Sequence, residues 1–154
     1  MRARVRAGAP FVLLGVVAII GGGLLSAITA SVASRQLAWL VAYLVLVVGI
    51  AQIGLGAGQA WLARRAPGAA TVWGEFILFL LGNVGVALGT MLVVPLLVDL
   101  GGILLVVSLA LFLVAVWRSR RGGWLRWVYL ALVAILVVSI PIGLVLAQIR
   151  AARA

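Results

Sequence analysis

Glu75 and Asp99 are the only acids in a chain of 154 residues that carries twelve arginines and no lysine, histidine or cysteine. This inventory limits the available chemistry. Disulfides, thiol reactions, iron–sulfur clusters, His-ligated haem and zinc sites of the usual ligand types all lack their residues, so no cofactor or metal is expected. Ser26, Ser31, Ser34, Ser108, Ser119 and Ser139 have no His or Lys to serve as a base, which argues against nucleophilic catalysis. Paired-acid chemistry needs neighbouring carboxylates. A helix joining Glu75 to Asp99 would instead be ~36 Å long, a full membrane thickness. Each acid therefore reads as sitting near an opposite interface. Glu75 falls in the first turn of a helix beside Trp73, favoured by the helix dipole, and Asp99 precedes Gly101-Gly102 as a helix cap. The alternative for Glu75 is an intramembrane proton or cation site, with Gln52, Gln59, Asn83 and Thr90 lining a polar path. Interhelical hydrogen bonds explain the same residues without a path.

The elements holding these residues are written in long apolar runs. Apolar residues make up 67% of the chain and charged ones 9%, with a mean hydropathy of +1.38. A soluble domain needs roughly a quarter of its residues charged. Spanning helices need about 20 apolar residues each. The spacing predicts five of them, over approximately 11–33, 37–62, 72–97, 101–117 and 124–148, forming one all-α transmembrane domain over 1–154. Val72 to Trp117 is too long for one crossing. The break is expected near Pro95 to Gly102, where a proline, an acid and two glycines cluster. Pro141 is expected to kink the last helix. Ser31-Val32-Ala33 loosely resembles a signal-peptidase site, but the apolar stretch before it exceeds the usual length of 7–15 residues, so the first helix is expected to be retained.

The arginines orient the bundle. With the N-terminus in the cytoplasm, Arg2, Arg4, Arg6, Arg64, Arg65, Arg118, Arg120, Arg121 and Arg126 lie inside, and Arg35, Arg150 and Arg153 outside. Trp61, Trp73, Trp117, Trp124 and Trp127 flank the same inner loops, and Trp39 the outer end. The net charge of +10 is scattered in short loops, so lipid headgroups explain it better than nucleic acid. Arg118, Arg120, Arg121 and Arg126 form a candidate headgroup site. Arginine without lysine, beside abundant Ala, Gly, Val and Leu, matches a GC-rich bacterial genome and hence a bacterial cytoplasmic membrane.

Small residues supply a second constellation. Gly22, Ser26, Ala30 and Ser34 recur every four residues in the first helix. Gly54 and Gly58 lie on the second, beside a face carrying Gly49, Gln52, Gly56, Gln59 and Ala63. Gly82, Gly85 and Gly89 share a face with Glu75 on the third. Such stripes let helix backbones approach closely, either within the chain or against a partner subunit. Gly21-Gly22-Gly23 is mid-helix and so makes no phosphate loop. In size the chain is similar to small multidrug exporters, but those need a glutamate in the first helix, which here has no acid. The substrate-binding subunits of vitamin importers are also small and helical, with more polar residues and one helix more. The expectation is a non-enzymatic accessory or assembly subunit of a membrane complex, working through helix faces against another membrane protein or its own copy. A homo-oligomeric transporter or channel protomer is the alternative, and a lipid-modifying enzyme using Glu75 and the cytoplasmic arginines a weaker one.

Overall fold

The computed structural model describes residues 2–32, 34–117, 119 and 123–151, which are mostly helical with no strand among them. Five helices are long and apolar enough to cross a membrane. They are α1 (Arg2–Ile28), α2 (Arg35–Leu62), α3 (Ala69–Met91), α4 (Pro95–Trp117) and α5 (Trp124–Ala151). Short connections make consecutive helices antiparallel. Arg64 and Arg65, the starts of α1, α3 and α5 and the end of α4 share one end of the bundle, here the arginine end. The α3–α4 turn marks the other, the turn end.

Several expected boundaries move. Helix α1 starts at Arg2 rather than residue 11, because Ala-rich sequence between the arginines carries helix well and Pro10 lies within it. The Arg4 guanidinium turns back onto α2. Its Nη1 donates to the carbonyls of Ala60 (2.7 Å) and Trp61 (3.0 Å), and its Nη2 to that of Ala63 (3.0 Å). These are the orphan acceptors of a helix C-terminus, where a cation is favoured. Helix α5 starts at Trp124 as expected and continues through Pro141.

The α3–α4 break falls at Leu92–Val94, ahead of the expected Pro95 to Gly102 cluster. Pro95 opens α4, where a missing N–H costs nothing. Val93 takes φ +56° and the Val94 N–H reaches the Gly89 carbonyl at 2.8 Å, the left-handed ending usually made by glycine. Gly101 and Gly102 are buried inside α4 and are no part of the turn. An added Cβ on Gly101 would lie 2.7 Å from the Gly82 carbonyl oxygen and 2.7 Å from the Val86 nitrogen. Of the two glycines that looked like breakers, Gly101 lets α3 and α4 touch backbone to backbone, and Gly102 faces Leu144 and Ile140 of α5. Asp99 caps nothing. It lies inside α4, half-buried, and its Oδ2 accepts from Gln148 Nε2 at 2.9 Å.

The middle of α2 is a π-helix, Leu44–Ala51, flanked by α-helix on both sides. A regular α-helix would put Tyr43 and Gln52, nine residues apart, on opposite faces. The π stretch turns by only roughly 80° per residue because its bonds run from i to i+5. That closes most of the gap and points both side chains inward. The core is completed by Phe11, Leu55, Phe79, Leu109, Phe112, Val116 and Val133, all fully or almost fully buried. Phe112 meets Phe11 edge to face at 5.3 Å between ring centres, and Phe79 at 6.4 Å.

Candidate functional site

Glu75 is where the structure departs most from expectation. Because α3 begins at Ala69, Glu75 lies beyond the first turn, about 9 Å along the axis. Its side chain has no exposure. The capping role therefore lapses, and the carboxyl is an interior group packed between helices. Gln59 Nε2 on α2 donates to Glu75 Oε1 at 2.7 Å. The other oxygen, Oε2, is buried with no hydrogen-bond partner among the described residues. Ser108 on α4 fixes the backbone at the same level, its hydroxyl donating to the Glu75 carbonyl at 3.1 Å. No group of three acidic or other metal-ligating side chains occurs among the described residues.

Polar residues continue from Glu75 toward the turn end. Gln52 lies two turns before Gln59 on the same face of α2 and is 1% exposed, yet neither Nε2 nor Oε1 has a partner. Asn83 lies two turns beyond Glu75 on α3. Its Nδ2 donates to the Phe79 carbonyl (2.7 Å) and its Oδ1 accepts from the Tyr43 hydroxyl (2.8 Å). Tyr43 stacks on Trp39 at 5.0 Å, nearer the turn end. Glu75, Gln52, Asn83 and Tyr43 thus form an ascending column between α2 and α3. A buried primary amide with no bond made costs about 1–3 kcal/mol, so Gln52 calls for a functional account.

Toward the arginine end the same interior is apolar. Val72, Leu62, Phe112 and Val116 are buried there, each 5% exposed or less. The Ser119 hydroxyl binds the Leu62 carbonyl and ties the end of α2 to the segment after α4. Tyr129 on α5 packs its ring over Gly58, where an added Cβ would come within 2.5 Å of the ring, and its hydroxyl donates to the Phe112 carbonyl at 3.4 Å. Glu75 thus has apolar side chains with the Tyr129 and Ser119 hydroxyls among them on one side, and amides and the Tyr43 phenol on the other.

The small-residue faces divide differently. Gly22 abuts Val45 and Leu44, Gly54 abuts Leu132, and Gly82, Gly85 and Gly89 abut α4 backbone and side chains. These glycines all serve packing inside the chain. Ser34 caps α2, accepting from the Leu37 N–H at 3.3 Å. Ser26 and Ala30 are exposed and line an open groove with Thr29 and Arg35. Of the headgroup candidates, Arg118, Arg120 and Arg121 lie outside the described residues. Arg126 holds the end of α4, donating from Nη2 to the Trp117 carbonyl at 2.8 Å, with its guanidinium 5.6 Å from the Trp127 ring centre.

Sequence reasoning had Glu75, Gln59, Gln52 and Asn83, and the structure ranges all four along one interior face. It missed Tyr43, which a regular helix hides on the far side of α2, and Ser108, which carries no signal in an apolar run. Comparison with protein-family models, curated proteins and solved structures found no match to this chain.

Proposed function

We propose that this multi-pass membrane protein is a proton-translocating or proton-coupled transport protomer, with Glu75 as its exchanging group. One observation carries the reading: a carboxyl with no exposure, inside a membrane-spanning helix, holds one hydrogen bond from Gln59 and keeps its second oxygen unpartnered. Ionisable groups in spans are expensive and mark ion and proton pathways. A structural bond alone would be made as well by two amides, without the cost of burying an acid. The accessory-subunit expectation keeps Ser26 and Ala30 as exposed small residues, whereas Gly22, Gly54, Gly58, Gly82, Gly85 and Gly89 are engaged within the fold. A lipid-modifying enzyme draws no support from Glu75, whose side chain has no exposure at the arginine end or elsewhere.

The arginine distribution orients the protomer with its N-terminus and arginine end in the cytoplasm and its C-terminus outside, in a bacterial cytoplasmic membrane. The column then opens toward the outer face. Proteoliposomes with an entrapped pH indicator and an imposed pH gradient test the reading. Wild type dissipates the gradient faster than protein-free vesicles and Glu75→Gln does not. Equal rates for wild type and Glu75→Gln would remove Glu75 from the function.

A further inference from the structure

We infer that the species exchanged at Glu75 is a proton rather than a metal cation, and that its route between Glu75 and the turn end runs through water held at Gln52 and a Tyr43–Asn83 gate. The inference rests on the reading of Glu75 above and adds the ligand and the residues of the path.

The ligand follows from counting donors. A hard cation needs about six oxygens around it. The unpartnered buried side-chain oxygens among the described residues are Glu75 Oε2 and Gln52 Oε1. Among the described residues no group of three metal-ligating side chains forms around Glu75, whereas a proton and its water need only these two oxygens. Gln52 adds an unused N–H donor, so its amide can both give and accept a hydrogen bond to water. Buried waters sit where such polar groups lack other partners.

The route follows from the asymmetry around the carboxyl. On the arginine side Val72, Leu62, Phe112 and Val116 are buried, and the Tyr129 and Ser119 hydroxyls among them are bonded to backbone carbonyls. The turn side carries Gln52 and then the Tyr43–Asn83 bond, which crosses between α2 and α3. The step moves one proton from Glu75 Oε2 to a water beside it, the first of a file that reaches the Gln52 amide two turns (~10 Å) nearer the turn end. It leaves a carboxylate held by the Gln59 N–H, and no other covalent bond changes. The file passes the proton to water at the turn end when the Tyr43 hydroxyl swings off Asn83 Oδ1. The π-helix keeps Tyr43 and Gln52 on one face, so the path depends on that local winding. The other ionisable groups on the surrounding helices are Tyr129 and Arg126 of α5, the arginines at the arginine end of α1, and Asp99 of α4 and Arg35 of α2 at the turn end. None of them bonds Glu75 among the described residues.

The test uses the full-length protein in the same proteoliposomes, with a second readout: modification of Glu75 by a hydrophobic carbodiimide, which requires a protonated carboxyl. Gln52→Met removes the amide at similar volume, and Tyr43→Phe removes only the gate hydroxyl. We expect Gln52→Met to lower proton flux by an order of magnitude or more and Tyr43→Phe to change it severalfold, with Glu75 modified in both. Sodium in place of choline leaves modification unchanged. Wild-type flux in both variants, alongside loss in Glu75→Gln, would overturn the path and leave the role of Glu75 standing. Protection of Glu75 by sodium would overturn the proton assignment. If Gln52→Met fails to insert, Tyr43→Phe decides the path alone. Wild-type flux in Glu75→Gln is the separate result that defeats the underlying reading.

Discussion

Removing the Gln59 side chain tests whether the Glu75 bond is a buried polar pair, and the structure sets the size of the effect. Among the described residues Gln59 Nε2 supplies the one hydrogen bond to the Glu75 carboxyl, at 2.7 Å, and both residues are 1% exposed or less. Gln59→Leu therefore leaves both carboxyl oxygens without a partner. Orphaning a buried polar group costs about 1–3 kcal/mol. Interhelical bonds in membranes average only ~0.6 kcal/mol, with a maximum near 1.7, because the unfolded chain in detergent also finds partners. The two bounds overlap at about 1–2 kcal/mol for Gln59→Leu. Glu75→Leu orphans only a neutral amide and should cost about 1 kcal/mol. The double variant removes both polar groups and should lie within about 0.5 kcal/mol of wild type, since apolar replacement of a buried pair is often neutral. Unfolding in mixed micelles by added dodecyl sulfate, followed by tryptophan fluorescence and circular dichroism, measures all three. A double variant that loses the sum of the single losses would refute the pairing.

Other expectations follow from the packing. Gly101→Ala forces a methyl against the backbone of Gly82 and Val86 and should destabilise by about 1–3 kcal/mol in the same assay. Gly21→Ala meets nothing within 4 Å and should be neutral or stabilising by up to about 1 kcal/mol. Arg4→Ala uncaps the carbonyls at the end of α2 and should cost about 1–2 kcal/mol, with Arg4→Lys recovering only part because it lacks the planar fork. The natural absence of cysteine allows single cysteines at Arg65 and Val93 to report sidedness. An impermeant maleimide on intact cells should label the second and spare the first, and the reverse would invert the topology.

Helix number, type and connection order were legible because apolar runs of spanning length leave few alternatives. The α3–α4 turn was misplaced by glycines with two possible meanings. Gly101 and Gly102 weaken a helix by propensity, but between packed helices the missing side chain is what allows contact. Only the neighbouring helix, absent from a linear reading, separates these cases. Val93 in a left-handed conformation has no sequence signal. Glu75 was read as interfacial because the start of α3 was placed at residue 72 instead of 69, and those three residues decide whether the carboxyl lies in the first turn. Gln52, Gln59 and Asn83 were visible as polar residues at helical spacing. Tyr43 was hidden by the assumption of 3.6 residues per turn across the π stretch. Arg4 read as one more orienting charge, since its long reach back to α2 is a tertiary fact.

The central claim is that Glu75 gains and loses a proton inside the bundle. Infrared difference spectroscopy of the protein in lipid, stepped between acid and alkaline pH, tests it most directly. Wild type should show a carboxyl C=O band that appears and disappears with pH, shifts in Gln59→Leu and is absent in Glu75→Gln, while the equivalent change at the α4 turn end, Asp99→Asn, leaves it in place. A pH-difference spectrum identical in wild type and Glu75→Gln would contradict the account.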